Sequence, residues 1–507
     1  MTLEEKVGQI MMVFFEGSSL SENLQKFVAE LKVGGVILYS SRGNIESVRQ
    51  VAELNGAMQR TALAASSLPL FIAVDQEGGL VNRISEGVTL FPGNMALGAT
   101  GDPSLAGRVA SVMGEELASL GINVDFAPSV DVNNNPLNPI IGVRSFGSDP
   151  QLVARLGSAM ISSFMEKGVF PAAKHFPGHG DTAVDSHTGL PLIPVSRERL
   201  ERVEFPPFRA AIDAGVPLVM TAHVLVPSLD EKNPATLSPS ILGMLRSEMG
   251  FSGLIITDSM GMAALKKERT MEEAAIEAFN AGADILLFGA DKGHEETEHF
   301  GMYSALLDAC RTGEISTNRL DESVGRILVA KSSLGLFQKD WRPEYVPRLS
   351  PEGSAVAREA ALRSITVARN RNETLETVRD GKKRPLLWPK ERIAAGKALA
   401  ALLPWIDLVE VPEKPNEKDI SEVLHLVTDA DRVLIADYDS QRNPGWFELV
   451  RRAGEDRVLL LSLRTPYALL SLPSVSGSVI SYSDNLPSLK SLADVLNGKA
   501  SAEGTLP

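Results

Sequence analysis

The stretch Leu254-Ile255-Ile256-Thr257-Asp258-Ser259-Met260-Gly261-Met262 begins with three aliphatic residues and then turns abruptly polar at Asp258. A run apolar on both faces and only four residues long reads as a fully buried strand of a parallel sheet. An aspartate directly at its end is costly unless it is paired or functional. The same pattern recurs upstream and downstream. Apolar runs occur at Met11–Phe15, Gly35–Tyr39, Leu70–Val74, Val124–Ala127, Phe170–Ala173, Leu218–Thr221, Leu254–Thr257 and Ile285–Phe288. Stretches of helical period separate them, among them Ser21–Leu31, Ile45–Leu63, Pro103–Leu120, Gln151–Lys167, Arg197–Ala214 and Met271–Ala281. Eight strand–helix units in about 300 residues favour a (β/α)8 barrel of the TIM type, whose active site gathers at the C-terminal ends of the strands. A doubly wound open sheet has the same local signature.

The repeat ends near Gly335-Leu336-Phe337, so residues 1–337 are expected to form the barrel. Residues 338–358, rich in proline, arginine and aromatics, read as a linker. Residues 359–507 form a second α/β unit, with strands at Ser364–Ala368, Leu386–Trp388, Leu408–Val411, Val433–Ala436, Val458–Ser462 and Ser478–Ser481. The expected fold is therefore α/β: an N-terminal barrel followed by an α/β/α sandwich.

Composition narrows the function. The 507 residues are 44% apolar and 22% charged, as in an ordinary globular protein. A formal charge of −14 argues against a nucleic-acid surface, which needs a basic field. The single cysteine, Cys310, makes no intramolecular disulfide. No signal peptide is visible and no apolar run is long enough to span a bilayer, so a cytoplasmic location without membrane partners is expected.

Chemistry concentrates where the strands end. Lys174-His175-Phe176-Pro177-Gly178-His179-Gly180-Asp181-Thr182-Ala183-Val184-Asp185-Ser186-His187 holds three of the seven histidines and reads as a loop beyond the fifth strand. Two uses of it compete. His175, His179, Asp185 and His187 are ligand types for zinc, although the spacing is not that of a helical HExxH. Alternatively, Asp185 hydrogen-bonds His187, fixes its tautomer and leaves the other ring nitrogen for proton transfer. Asp258 reads as a nucleophile or as a carboxylate stabilising positive charge. Asp75-Gln76-Glu77-Gly78-Gly79-Leu80-Val81-Asn82-Arg83 lets the backbone turn sharply beside a ligand, and it is no phosphate loop because no GKS/T follows. Gly142-Val143-Arg144-Ser145-Phe146-Gly147 adds an arginine after the fourth strand. His223, after the sixth, fits a core histidine as well as a substrate contact.

Together these segments resemble glycoside hydrolase family 3, in its β-N-acetylglucosaminidase branch. The resemblance runs from Leu3-Glu4-Glu5-Lys6-Val7-Gly8-Gln9 to Gly504-Thr505-Leu506-Pro507 and peaks at the KHFPGHGDTAVDSH segment. It implies a retaining exo-acting enzyme with Asp258 as nucleophile and His187 as acid/base, Asp185 being the partner of His187. Asp75, Arg144, Lys174 and His175 would hold the hydroxyls of the terminal sugar, and Arg144, Lys174 and His175 are expected to be rim residues with little stake in stability. Arg83 is a weaker candidate for the same wall. Leu80 stands where the family usually has arginine. No cofactor and no metal are implied, and the expected partner is a small carbohydrate or a peptidoglycan-derived muropeptide. The alternatives are a family 3 glycosidase or phosphorylase acting on another β-linked sugar, and a metal-dependent barrel hydrolase.

Overall fold

In the computed structural model of the protein, residues 1–186, 189–265, 269–338, 341 and 351–507 are described. Eight short parallel strands form the first sheet: β1 (Met11–Val13), β2 (Gly35–Ile37), β3 (Phe71–Val74), β4 (Val124–Asp125), β5 (Phe170–Phe176), β6 (Leu218–Thr221), β7 (Leu254–Ile256) and β8 (Leu286–Phe288). They pair in the order β8-β1-β2-β3-β4-β5-β6-β7. Met11 lies opposite Leu286, and a parallel bridge from Ile256 to Ile285 joins the two ends. Closure decides against the open doubly wound sheet. Strands β1 to β3 and β6 to β8 are buried along their whole length, because helices cover the outside and side chains fill the inside.

Two local expectations change. β5 continues through Phe176, so Lys174 and His175 sit in the strand rather than in the loop after it. The helix expected over Arg197–Ala214 is two, Arg197–Arg202 and Phe205–Asp213. Pro206 and Pro207 cannot donate backbone hydrogen bonds, so they begin a helix rather than continue one.

The second sheet contains β9 (Thr366–Asn370), β10 (Arg384–Pro389), β11 (Ile406–Val411), β12 (Val433–Asp437), β13 (Val458–Ser462) and β14 (Gly477–Ile480). Its order is β9-β14-β13-β12-β10-β11, with only β9 antiparallel to its neighbour. Alternation along the strands feeds two cores. Leu386, Trp388, Leu434, Ala436, Leu459 and Leu461 pack on one face, while Leu387, Val433, Ile435, Val458 and Leu460 pack on the other. This makes the second unit a three-layer sandwich.

A helix over Pro351–Ser364 crosses the 358/359 division expected from the sequence. Its Glu359 takes a two-pronged ion pair from Arg108 at 2.9 and 2.6 Å, and its Arg363 pairs with Asp102 at 2.8 Å. From the same expected linker, Trp341 is buried, and its carbonyl accepts from Arg60 at 2.7 Å. Among the described residues no helix is long and apolar enough to cross a membrane.

Candidate active site

The C-terminal ends of the barrel strands surround a cavity of about 440 Å³. Asp75 follows β3 directly, Lys174 and His175 lie near the end of β5, and Asp258 stands two residues beyond β7. Arg144 comes from the loop after β4, and Arg83 from the far side of a small hairpin, Gln76–Gly78 and Val81–Asn82. Gly78 and Gly79 both have positive φ at its turn. A Cβ on Gly79 would lie 2.8 Å from the carbonyl oxygen of Pro92, so the hairpin can fold over the mouth only with glycine there.

The polar floor is one connected cluster. Lys174 Nζ lies 3.0 Å from Asp75 Oδ1 and 2.6 Å from Glu77 Oε1. Arg144 grips Glu77 with both prongs, Nε to Oε2 at 3.0 Å and Nη2 to Oε1 at 2.8 Å. Arg83 Nη2 donates to Asp75 Oδ2 at 3.3 Å. His175 Nδ1 meets Asp131 Oδ2 at 2.7 Å, and the other oxygen of Asp131 accepts from the backbone N–H of His175 and of His179 at 3.2 and 2.6 Å. Asp131 therefore orients His175 and leaves its Nε2 beside Arg144, 3.4 Å from Nη2.

The ionisation states follow from these partners. Burial works to raise the Glu77 carboxyl, but Arg144 and Lys174 outweigh it and hold the group well below the usual carboxylate range. Asp131 is likewise opposed by burial, yet His175 and His179 bring it down to about 2. Lys174 stays protonated against burial because Glu77 and Asp75 face it. Asp125, fully buried at the end of β4, is pushed well above its ordinary value by burial; one of its oxygens accepts from Gln76 N–H at 2.9 Å. Lys174 is 1% exposed and His175 6%, which corrects the expectation of rim residues. The charged groups are embedded, because β5 extends to Phe176 and carries Lys174 inside the barrel wall.

His179 is buried within the loop beyond β5. Its Nδ1 contacts the Thr182 hydroxyl at 3.0 Å and its Nε2 the Ser186 hydroxyl at 3.2 Å, so both ring nitrogens are engaged. Burial, then the neighbouring His175, pushes its imidazole down to about 4. Ser186 is buried, lines the cavity, and its carbonyl accepts from Ala264 N–H at 3.3 Å, tying the Asp185 loop to the segment that follows Asp258. Asp185 is half-buried. His187 lies outside the described residues. His223 is fully buried and bonded to Thr236 and to the carbonyl of Ser259 at 2.8 Å each.

The cluster thus brings together Asp75, Arg83, Arg144, Lys174, His175 and Asp258. Glu77, Asp131, Tyr39 and Asp291 belong to the same site; the sequence marks Glu77 and Asp131 only as charges gathered at strand ends, without a role, and does not mark Tyr39 or Asp291. Glu77 had a signal, lying two residues after Asp75. Asp131 had one too, as a lone charge in Val130-Asp131-Val132. Tyr39 and Asp291 had none, since they follow β2 and β8 and reach the cavity only because the sheet closes into a ring between β7 and β8.

Residues 2–330 match the model of the glycosyl hydrolase family 3 N terminal domain. A protein of Pseudoalteromonas piscicida named Beta-hexosaminidase A is 34% identical over 97% of this chain and 91% of its own length. A Beta-N-acetylglucosaminidase/beta-glucosidase of Cellulomonas fimi is 30% identical over 99% of this chain and 93% of its own. The solved structure of a glycoside hydrolase family 3 beta-N-acetylglucosaminidase from Paenibacillus sp. str. FPU-7 superposes with a TM-score of 0.93 at 37% identity, covering all of this chain and 98% of that one. The barrel and the sandwich unit thus match these relatives over essentially the full length, and the chain belongs to glycosyl hydrolase family 3.

Proposed function

We propose that this family 3 glycoside hydrolase, of the β-hexosaminidase type, is a retaining exo-β-N-acetylglucosaminidase that removes terminal N-acetylglucosamine from peptidoglycan-derived fragments. The observation that carries the proposal is the shared cavity: Asp258 faces the same 440 Å³ space as Asp75, Arg144, Lys174 and His175, and Ser186, next in the chain to His187, lines it too. A retaining glycosidase needs a nucleophile on one face of the anomeric carbon and a proton donor on the other. Asp258 is the nucleophile. His187 protonates the leaving oxygen and then activates water, and Asp185 orients it. An imidazole starts near a pKa of about 6.5 and needs little tuning for this work, whereas a glutamic acid must be raised toward neutrality. Asp75, Arg83, Arg144, Lys174 and His175 hold the sugar hydroxyls with donors and acceptors already fixed in place, so the cluster is organised before substrate arrives. No cofactor takes part. The names of the Pseudoalteromonas piscicida and Paenibacillus relatives support the sugar assignment.

The test compares para-nitrophenyl β-N-acetylglucosaminide with the β-glucoside, with and without chelator. The glucosaminide is expected to be turned over in preference, unaffected by chelator. Preference for the glucoside would sink the sugar assignment, and loss with chelator would restore a metal mechanism. His187→Ala is expected to spare the first step on the aryl substrate, giving a burst and then a slow steady rate, while a natural disaccharide fails outright. Equal losses on both substrates would remove His187 from the acid/base role.

A further inference from the structure

The turn that carries Asp258 is held from both sides. From the β8 side, Leu287 N–H donates to the Thr257 hydroxyl at 3.0 Å, Met260 N–H donates to Leu287 O at 2.9 Å, and Gly289 N–H donates to Ser259 Oγ at 2.9 Å. Ser259 Oγ in turn donates to Asp291 Oδ2. From the β6 side, His223 Nε2 lies 2.8 Å from the carbonyl oxygen of Ser259. A carbonyl only accepts, so that ring nitrogen carries the proton, and the Thr236 hydroxyl fixes the other at 2.8 Å. In the middle, Ser259 N–H donates to Asp258 Oδ1 at 2.7 Å. Ser259 is 6% exposed and His223 0%.

Two glycines make the arrangement possible. A Cβ on Gly289 would stand 2.5 Å from Ser259 Oγ, and one on Gly261 would stand 2.6 Å from Asp291 Oδ2. Either side chain would push the clamp open. The chain places glycine at both positions, within Asp258-Ser259-Met260-Gly261 and Gly289-Ala290-Asp291.

We infer that Ser259, gripped between Asp291 and His223, sets the orientation of the Asp258 carboxylate, and that Asp291 and His223 are positioning residues for the nucleophile. The inference rests on Asp258 being the nucleophile. A nucleophilic carboxylate must present one oxygen in line with the breaking bond, and a misplacement of about 1 Å costs on the order of 10²-fold.

The experiment is a double-mutant cycle in the full-length protein on the aryl glucosaminide. Ser259→Ala, Asp291→Ala and His223→Ala should each lower kcat by roughly 10- to 100-fold, with KM changed less than about threefold. Asp291→Asn still accepts from Ser259 and should recover most of the rate. The same changes are then made in Asp258→Ala with added azide. There an azide nitrogen bonds to the anomeric carbon as the aryl oxide departs with the bonding pair, giving the α-glycosyl azide. With no carboxylate to position, the added change should cost less than about twofold. An equal loss in the azide-rescued background, or a raised KM with unchanged kcat, would overturn the positioning role. Undiminished turnover by Asp258→Ala alone would instead sink the nucleophile assignment beneath it, and with it this inference.

Discussion

At the barrel mouth, Glu77 and Asp131 are buried and held ionised by Arg144, Lys174 and His175, whereas at the corresponding edge of the sandwich Asp437 is equally buried and meets no cation among the described residues. Asp437 ends β12 and accepts from Ser440 N–H at 2.8 Å and from the Ser462 hydroxyl at 3.1 Å. Burial, together with nearby Asp439, pushes its carboxyl up to about 6. Both places are the C-terminal ends of parallel strands, where α/β proteins bind ligands. What differs is closure. Eight strand ends arranged in a ring bring cations from β4 and β5 against acids from β3, and the centre stays open as a cavity. In the open sheet, strand-end groups bond to their own loops and to the barrel. Arg442 reaches the carbonyl of Pro139 at 3.4 Å and Tyr467 bonds Asn133 at 2.9 Å, so this edge braces the loop that carries Arg144.

The largest expected effect tests whether chemistry belongs to the mouth alone. Asp258→Asn should lower kcat/KM by about 10⁴-fold on every substrate, and a fluorinated N-acetylglucosamine-like reagent should label Asp258 in a mass spectrum of the wild type. Label on Asp437 or any other carboxylate would erase the contrast between the two edges.

Next comes the ion cluster. Arg144→Ala should cost roughly 10²-fold in kcat/KM, or about 2.7 kcal/mol. It should also lower thermal stability by a few kcal/mol, because Glu77 is left buried with Lys174 as its remaining cation. Arg144→Lys restores the charge without the fork and should recover only part of each. A calorimetric scan showing unchanged Tm for Arg144→Ala would return these residues to the rim.

A third prediction uses pH. The folded-state pKa of Asp437 lies above the unfolded value near 3.9, so the folded state binds the proton more tightly, and its contribution to stability falls as pH rises through about 4 to 6. Asp131 has the opposite sign. Its folded value near 2 lies below the unfolded one, so its contribution is present above about pH 4 and is lost as pH falls toward 2. Asp437→Asn should keep the Ser440 bond and donate to a Ser462 hydroxyl turned to accept, gain on the order of 1–3 kcal/mol at pH 7, and flatten the pH 4–6 slope. Denaturant melts at pH 4.5 and 7 give the answer, and an unchanged slope would show that Asp437 ionises freely.

The smallest effect concerns Leu80, 53% exposed at the hairpin turn, where it borders both the cavity and the crevice toward Arg442 and Arg464. Leu80→Ala should leave stability within about 0.5 kcal/mol and change KM by no more than about threefold. A tenfold rise in KM would make the crevice part of the substrate path.

Sequence periodicity was sufficient for the strands and for the reading of two α/β units, because a strand buried on both faces must be apolar along its length and helices must separate parallel neighbours. It also identified Asp75, Lys174, His175 and Asp258, since a charge at the end of such a run needs a reason to be there. It misjudged the extent of β5 because Lys174 and His175 look like loop residues until their partners are in place. Lys174 can remain in a strand only where Asp75 and Glu77, from β3 and its hairpin, face it. Partnerships of that kind belong to the closed ring. Asp131 lies 44 residues from His175, Arg144 lies 67 from Glu77, and Asp291 lies 32 from Ser259. Sequence by itself determined which residues could not be left in water or left unpaired. Which of them meet was decided by the tertiary structure, because barrel closure, rather than local propensity, sets the distances between strand ends.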